Sequence, residues 1–249
     1  MDSREFAKTI EKRVAEFCAS LDAKLPAYSF IPLTTDEMRI KVMQSRLFNE
    51  VRAGEIFGGW LKSTPELDVK KTLVEATHEE YVHATYLEEA LRQKGAVPHD
   101  YKPLPAQMAM FNGFEGLTDT VERIAAFPMA GEGVADYLIA KSLKAGTVPK
   151  WVTGPYQKIH EDEEEHGNYP FEILVKYATT ADKQDRAARA VAMSLVLRQS
   201  YFDNLDRWVY EDKIYRSRVQ RSKVQCSRSK RPETLNLEHA SGHRQLYLS

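Results

Sequence analysis

Three Glu-x-x-His pairs occur in this chain: Glu75/His78, Glu80/His83 and Glu163/His166. With 23 Glu and seven His in 249 residues, chance supplies fewer than one such match. Residues three apart share a helix face, so each pair offers a carboxylate and an imidazole to one ligand. A carboxylate beside a neutral imidazole is donor chemistry for a divalent metal ion. Glu80 and His83 fall in the apolar stripe Leu73, Ala76, Glu80, His83, Leu87, Ala90, and Glu163 and His166 sit with Tyr156, Ile159, Pro170 and Leu174. Glu75 and His78 share their face with Asp68, Lys71, Thr72 and Glu79, a solvated face, and are set aside.

Two further glutamates occupy apolar stripes. Glu50 lies in Ile40, Met43, Leu47, Glu50, Gly54, Phe57, Leu61, and Glu132 lies with Ile124, Pro128, Ala135, Ile139 and Leu143. An ionised carboxylate on a core face is costly unless paired or bound to metal. Two divalent ions would balance these four carboxylates, with His83 and His166 as neutral ligands. Glu50 and Glu80 are 30 residues apart, each 15 from Pro65, and Glu132 and Glu163 are 31 apart. In an antiparallel helix pair, equal distances from the turn place residues at one level. For a single such residue, polar packing in a helical scaffold is the better reading. Six at matched levels in four helices favour a metal site.

Glu followed by Glu-x-x-His, in two halves, resembles the ferritin-like non-haem di-iron carboxylate proteins. The matching residues are Glu50, Glu80 and His83 in EEYVH, Glu132 in MAGEGVADYL, and Glu163 and His166 in EDEEEH. The halves are also similar beyond the motif, HATYLEEAL against HGNYPFEIL, and the resemblance covers roughly residues 36–178. Aligning AGEIFGGWL with AGEGVADYL would put Glu55 in place of Glu50. Glu55 shares its face with Phe48, Arg52, Gly59 and Lys62, so Glu50 is preferred and the alternative stays open. Glu164 replaces Glu163 only by breaking the spacing. His160 and Asp136 lie within helical reach of the set, as extra ligands or as partners orienting the imidazoles.

The resemblance implies two Fe ions, with a mixed Mn/Fe centre as an alternative. It also implies O2 reduction and hydroxylation, desaturation or N-oxygenation of a small organic substrate. A ferroxidase or peroxide scavenger is the second reading, and a metal-free helical interaction protein the third. Extra helices and a long crossover exceed what a storage bundle needs and favour the substrate enzyme. Glycines at 54, 58, 59, 131, 133 and 167 point equally to close packing or to room for substrate. Phe57, Trp60, Tyr86, Tyr137 and Tyr169 are candidate pocket walls. No cysteine cluster or nucleotide loop suggests a built-in reductase, so electrons come from an external donor or from the substrate.

The elements that must position these residues read as helices almost throughout, without strand alternation. Phe6, Ile10, Val14, Phe17 and Leu21 form the stripe of an N-terminal helix. Helices are then expected from about Asp36, capped by Thr34 or Thr35, to Lys62, and from Thr64-Pro65-Glu66 to Lys94-Gly95. A crossover spans 95–110. A helix follows from about Gly113 to Lys144, with Pro128 as a kink or a restart; another opens at Gly154-Pro155 and is disturbed after Gly167 by Pro170; a last one runs from about Lys183 to Tyr210. The expected fold is all-α: a ferritin-like four-helix bundle with additional N- and C-terminal helices. Its expected divisions are an N-terminal helix and connector over 1–35, the bundle over 36–212 and a basic, disordered tail over 213–249.

With 43% hydrophobic and 29% charged residues the body is globular, and no apolar run is long enough for a membrane span. The charged first twenty residues lack the apolar core of a secretory signal, and two cysteines make neither a disulfide framework nor a thiolate zinc site. A cytoplasmic protein is expected; its oligomeric state stays open, a homodimer included. The net charge of −1 divides into −8 over residues 1–212 and +7 over 213–249. Composition favours a solvated appendage or a non-native extension over an arm for nucleic acid or an acidic partner; a nucleic-acid-modifying di-iron hydroxylase would give that tail a purpose, but the acidic body argues against a broad phosphate-binding face. Unchanged activity on removal of residues 213–249 would confine the tail to solubility or localisation.

Overall fold

A computed structural model of the chain describes residues 1–166 and 168–228, with backbone alone for 164–166 and 212–228. Residues 1–210 form one compact unit and 211–249 a second, described as far as Arg228. Among the described residues there are helices and no strand. In chain order they are α1 (Ser3–Leu21), a 3-10 turn (Ala27–Ser29), α2 (Asp36–Trp60), α3 (Leu67–Gln93), α4 (Pro105–Glu115), α5 (Thr120–Ile124), a π-helical segment (Ala125–Glu132), α6 (Gly133–Lys144), α7 (Lys150–His166), α8 (Tyr169–Tyr177) and α9 (Ala181–Arg228). The all-α bundle expected from the sequence is therefore observed. None of these helices is long and apolar enough to cross a membrane.

Local chemistry sets most boundaries. Asp2 caps α1 by accepting from the Arg4 and Glu5 amides, Thr35 caps α2 through Met38 N, and Asp119 caps α5 through Val121 N. Gly95, at φ 72°, supplies the left-handed residue that ends α3. α2 and α3 are the most extensively packed pair; α3 and α6 both pack on α7, and α1 lies across the π segment, α6 and α8. α2 is the central helix. It buries Ser45, Arg46, Asn49 and Glu50 along with its apolar residues. Its turn into α3 is locked by Arg123, which donates to Ser63 Oγ at 2.8 Å and to Thr64 Oγ1 at 3.3 Å.

Prolines account for the departures from the sequence expectation. The crossover ends sooner than residue 110 because Pro105 opens α4, where its missing N–H costs nothing. The expected helix from Gly113 is instead the end of α4, a break over Gly116–Asp119, and a restart at Thr120. α7 begins at Lys150 rather than at Gly154-Pro155, with Pro149 O accepting from Val152 N and Thr153 N. Pro155 is thus inside the helix. Pro128 does not stop its helix: α5, the π segment and α6 run on from Thr120 to Lys144, the wider π turns absorbing the proline. α9 is assigned over Ala181–Arg228, and residues 229–249 of the expected tail lie outside the described residues.

The apolar centre is a cluster of stacked rings. Phe127 of the π segment lies 4.9 Å from Phe57 and 4.6 Å from Phe114, ring centre to ring centre, and is 1% exposed. Phe127→Ala is expected to cost about 3–5 kcal/mol, read as a lower urea midpoint at unchanged slope.

Candidate metal centre

Two antiparallel helices bring the first three predicted ligands together. Glu50 on α2 and Glu80 and His83 on α3 are 7%, 4% and 1% exposed, and each presents a ligand atom within 4.8 Å of the other two. α7 packs on α3 and also reaches His83. Glu163 Oε1 is 4.0 Å from His83 Nδ1, and Asp162 Oδ2 is 3.6 Å from His83 Nε2. Glu132 stands at the junction of the π segment and α6, and lines one cavity with Glu80, Asp136 and Glu163. His160 Nδ1 is 2.7 Å from Asp136 Oδ1, a hydrogen-bonded pair linking α7 to α6. The backbone of His166 ends α7; its side chain, and so its predicted role as a ligand, lies outside the described residues.

The structure separates the candidates the sequence left open. Glu55 is exposed and pairs with Arg52, which also binds Glu115, so Glu50 is the α2 carboxylate that faces the cluster. Glu75 and His78 are both exposed. Of the aromatic residues named as walls, Phe57, Tyr137 and Tyr169 line the cavity, whereas Trp60 and Tyr86 do not. The glycines divide too. Gly133 lines the cavity, but a Cβ on Gly131 would sit 2.9 Å from the Phe127 ring and 3.0 Å from Arg198 Nη2, so that position serves close packing.

Sequence reasoning missed three members of the site. Asp162 was hidden inside the acidic run of α7. Arg46 is 2% exposed and reaches Glu50 Oε1 at 3.7 Å, its guanidinium 4.1 Å from the Tyr28 ring centre and 4.9 Å from that of Tyr156. Arg198, 3% exposed on α9, is the largest charge opposing the effect of burial on Glu132. The signal for Arg46 was its position four before Glu50, and for Arg198 its place in the stripe Val191, Leu195, Phe202, Leu205.

These guanidiniums correct the charge count. Four carboxylates and two buried arginines sum to −2, so one divalent ion neutralises the set. Asp162 as a fifth carboxylate brings a pair of divalent ions within one charge of neutrality. Without such ions Glu80, Glu132 and Glu163 are driven towards their protonated forms. Burial, then the charges of Glu132, Glu50 and Glu163, raises Glu80 well above the usual carboxylate range. Burial, opposed by Arg198 and reinforced by Glu50, brings Glu132 up to about 7, and burial with Glu132 and Glu50 brings Glu163 up to about 8. The Glu163 side chain is 34% exposed, towards the cavity, so enclosure rather than core packing removes its water. Glu80 Oε2 is buried without a hydrogen-bond partner among the described residues. An orphaned carboxylate oxygen within an oxygen-rich set holding one imidazole fits iron or manganese.

No protein-family model and no curated protein matches the sequence. Among solved structures, the chain superposes on one from Shewanella denitrificans OS217 with a TM-score of 0.67 and 16% identity, covering 84% of this chain and 94% of that one. That structure is described as a domain of unknown function with a haem oxygenase-like fold. The fold here is haem oxygenase-like. At this identity the likeness speaks for architecture alone, and function is argued from the site.

The raised carboxyl groups set a pH dependence for the metal-free protein. Between the usual value of 4.5 and about 7 to 8 the folded chain holds protons that the unfolded chain has released, so stability falls as pH rises through that window. The metal-free protein is expected to melt several degrees lower at about pH 8.5 than at about pH 6. Glu132→Gln and Glu163→Gln should each flatten that decline. Added Mn2+, which competes with the protons, should restore stability most at the higher pH.

Proposed function

We propose that the chain is an O2-activating di-metal oxidase or monooxygenase acting on a small organic substrate. The reading is carried by one observation: carboxylates from α2, α3, the π–α6 junction and α7 converge with His83 beside a cavity of about 680 Å³. Glu50, Glu80, His83, Glu132 and Glu163 would hold the metals, with Asp162 as a further carboxylate and His166 as the remaining ligand named by the motif. Bound iron, or a manganese–iron pair, supplies the redox chemistry that activates O2.

The chain's own residues do the rest. Arg46 fixes Glu50 from behind, and Arg198 offsets the charge of Glu132. The Tyr169 phenol, its acidity suppressed by burial and by Glu163 and Glu132, stays protonated and presents a donor on the cavity wall. Asp136 accepts from His160 Nδ1 and orients that ring. Apolar walls from Val14, Cys18, Phe57 and Met129 exclude bulk water and position the substrate. The electrons are supplied by an external donor or by the substrate itself.

A ferroxidase or peroxide scavenger is the second reading, and the cavity counts against it. About 680 Å³ is the size of an organic-ligand pocket and far exceeds the needs of Fe2+, O2 or peroxide. The deciding experiment is metal content after anaerobic Fe2+ loading, then optical spectra on adding O2, for the wild type and Glu80→Ala. About two irons per chain with an oxygen-dependent absorption, both lost in the variant, is the expected result. If neither protein takes up iron, the cluster is polar packing and the helical interaction protein is the better description.

A further inference from the structure

A file of oxidisable aromatic side chains runs from Glu50 to the surface of α9. Arg46, which reaches Glu50 Oε1 at 3.7 Å, has its guanidinium 4.1 Å from the ring centre of Tyr28 in the 3-10 turn. The Tyr28 ring stands edge-on to that of Tyr201 on α9, 5.9 Å from centre to centre. Tyr201 and Tyr101 share one partner. The Ser45 hydroxyl is 2.8 Å from the Tyr201 oxygen and 2.9 Å from the Tyr101 oxygen. The Tyr101 ring is in turn 5.5 Å from that of Trp208, which is half-buried, with the Lys41 ammonium 5.1 Å from its ring centre. Tyr28 and Tyr201 are buried, so the file begins in the core and ends where solvent reaches it.

Phenylalanine would serve for packing alone; here the phenols carry directed hydrogen bonds. Tyr101 donates to Gln107 Oε1 at 2.6 Å, so the Ser45 hydroxyl donates to Tyr101 and accepts from Tyr201. Gln107 is itself held by Asn49 Oδ1 at 2.6 Å and by the Ser45 carbonyl at 3.1 Å. A phenol gives up an electron readily only when its proton has an acceptor, and Tyr101 and Tyr201 each have one. Tyr28 lies against the Arg46 cation, which disfavours positive charge on its ring and makes it a bridge rather than a resting place. Electron transfer weakens exponentially with the gap between groups. Short steps between oxidisable rings therefore carry charge where a single long step does not.

We propose that Trp208, Tyr101 and Tyr201 form an electron relay that feeds the metal centre from the surface, bridged to Glu50 by Tyr28 and Arg46. The inference rests on the di-metal reading. One electron leaves Tyr201 for the oxidant generated from O2 at the centre, which is reduced by one electron. Tyr101 refills Tyr201, and Trp208 refills Tyr101. A one-electron reductant of the ascorbate class, itself oxidised by one electron, refills Trp208. The phenolic protons of Tyr201 and Tyr101 move along their hydrogen bonds towards Ser45 and Gln107 as each electron leaves, and return with its replacement. Every ring ends as it began. The relay supplies electrons that the substrate does not, and it drains the oxidant when the cavity is empty.

The test is flash oxidation, without O2, of the full-length protein loaded with Fe2+, iron content being measured on each preparation. A ruthenium(II) bipyridyl sensitiser is attached at Arg207→Cys, an exposed position next to Trp208, in a Cys226→Ser background. A flash in the presence of a cobalt(III) ammine quencher leaves Ru(III), which draws an electron through the relay from Fe2+. The readout is the rise of ferric absorption. Tyr201→Phe and Trp208→Phe are each expected to slow that rise about tenfold, while Tyr81→Phe, outside the file, leaves it unchanged. Trp208→Phe, half-buried and remote from the ligands, decides the matter if Tyr201→Phe fails to fold or to hold iron. An unchanged rise in either variant at wild-type iron content overturns the relay and leaves the di-metal reading standing. A wild-type chain that takes up no iron overturns both.

Discussion

Like charges enclosed in one small volume set the terms for this molecule. Glu50, Glu80, Glu132 and Glu163 each come from a different helical segment, and their charges act on one another where burial limits their hydration. Such a group is tolerable only when protons, guanidiniums or metal cations share the space. Two guanidiniums are built in. Arg46 is clamped between the Tyr28 and Tyr156 rings, and Arg198 comes within reach because residue 131 has no side chain. Protons or metal supply what remains, so the protonation, metal affinity and stability of this chain are one coupled problem.

The π segment is the second device on which the arrangement depends. Pro128 lacks the amide an α-helix would use, and the wider turns around it carry the chain through without a break. Two functions meet on those eight residues. Phe127 stacks into the ring cluster that anchors the segment, while Met129 and Glu132 turn towards the cavity. Helix α1 then closes the outside, giving Glu11, Val14 and Cys18 to the wall. The N-terminal helix is thus part of the site rather than an appendage to the bundle.

Particular residues show what was legible in the sequence. The stripes on α1, α2, α3 and α9 identified buried faces because burial follows the helical period, and Glu50, Glu80 and His83 stood out as polar residues on those faces. The turns at Pro105 and Pro155 were misplaced because proline both opens helices and breaks them, and only neighbouring contacts decide which. Asp162 was not distinguishable within an acidic run, where helix rotation about α7 selects which carboxylate reaches His83. Arg46 and Arg198 drew no reading of their own, because a buried arginine is recognised only by what packs against its face.

The sequence by itself determined that the chain is helical, where its apolar faces lie, and that carboxylates and histidines interrupt those faces at matched levels. These are local properties: periodicity and spacing act over a few turns of one helix. The tertiary structure decided which carboxylates meet, which cations offset them, and that a cavity opens beside them. Charge balance and enclosed volume depend on residues far apart in the chain, such as Arg46 and Arg198 or Glu11 and Glu163, and no local pattern records their distance.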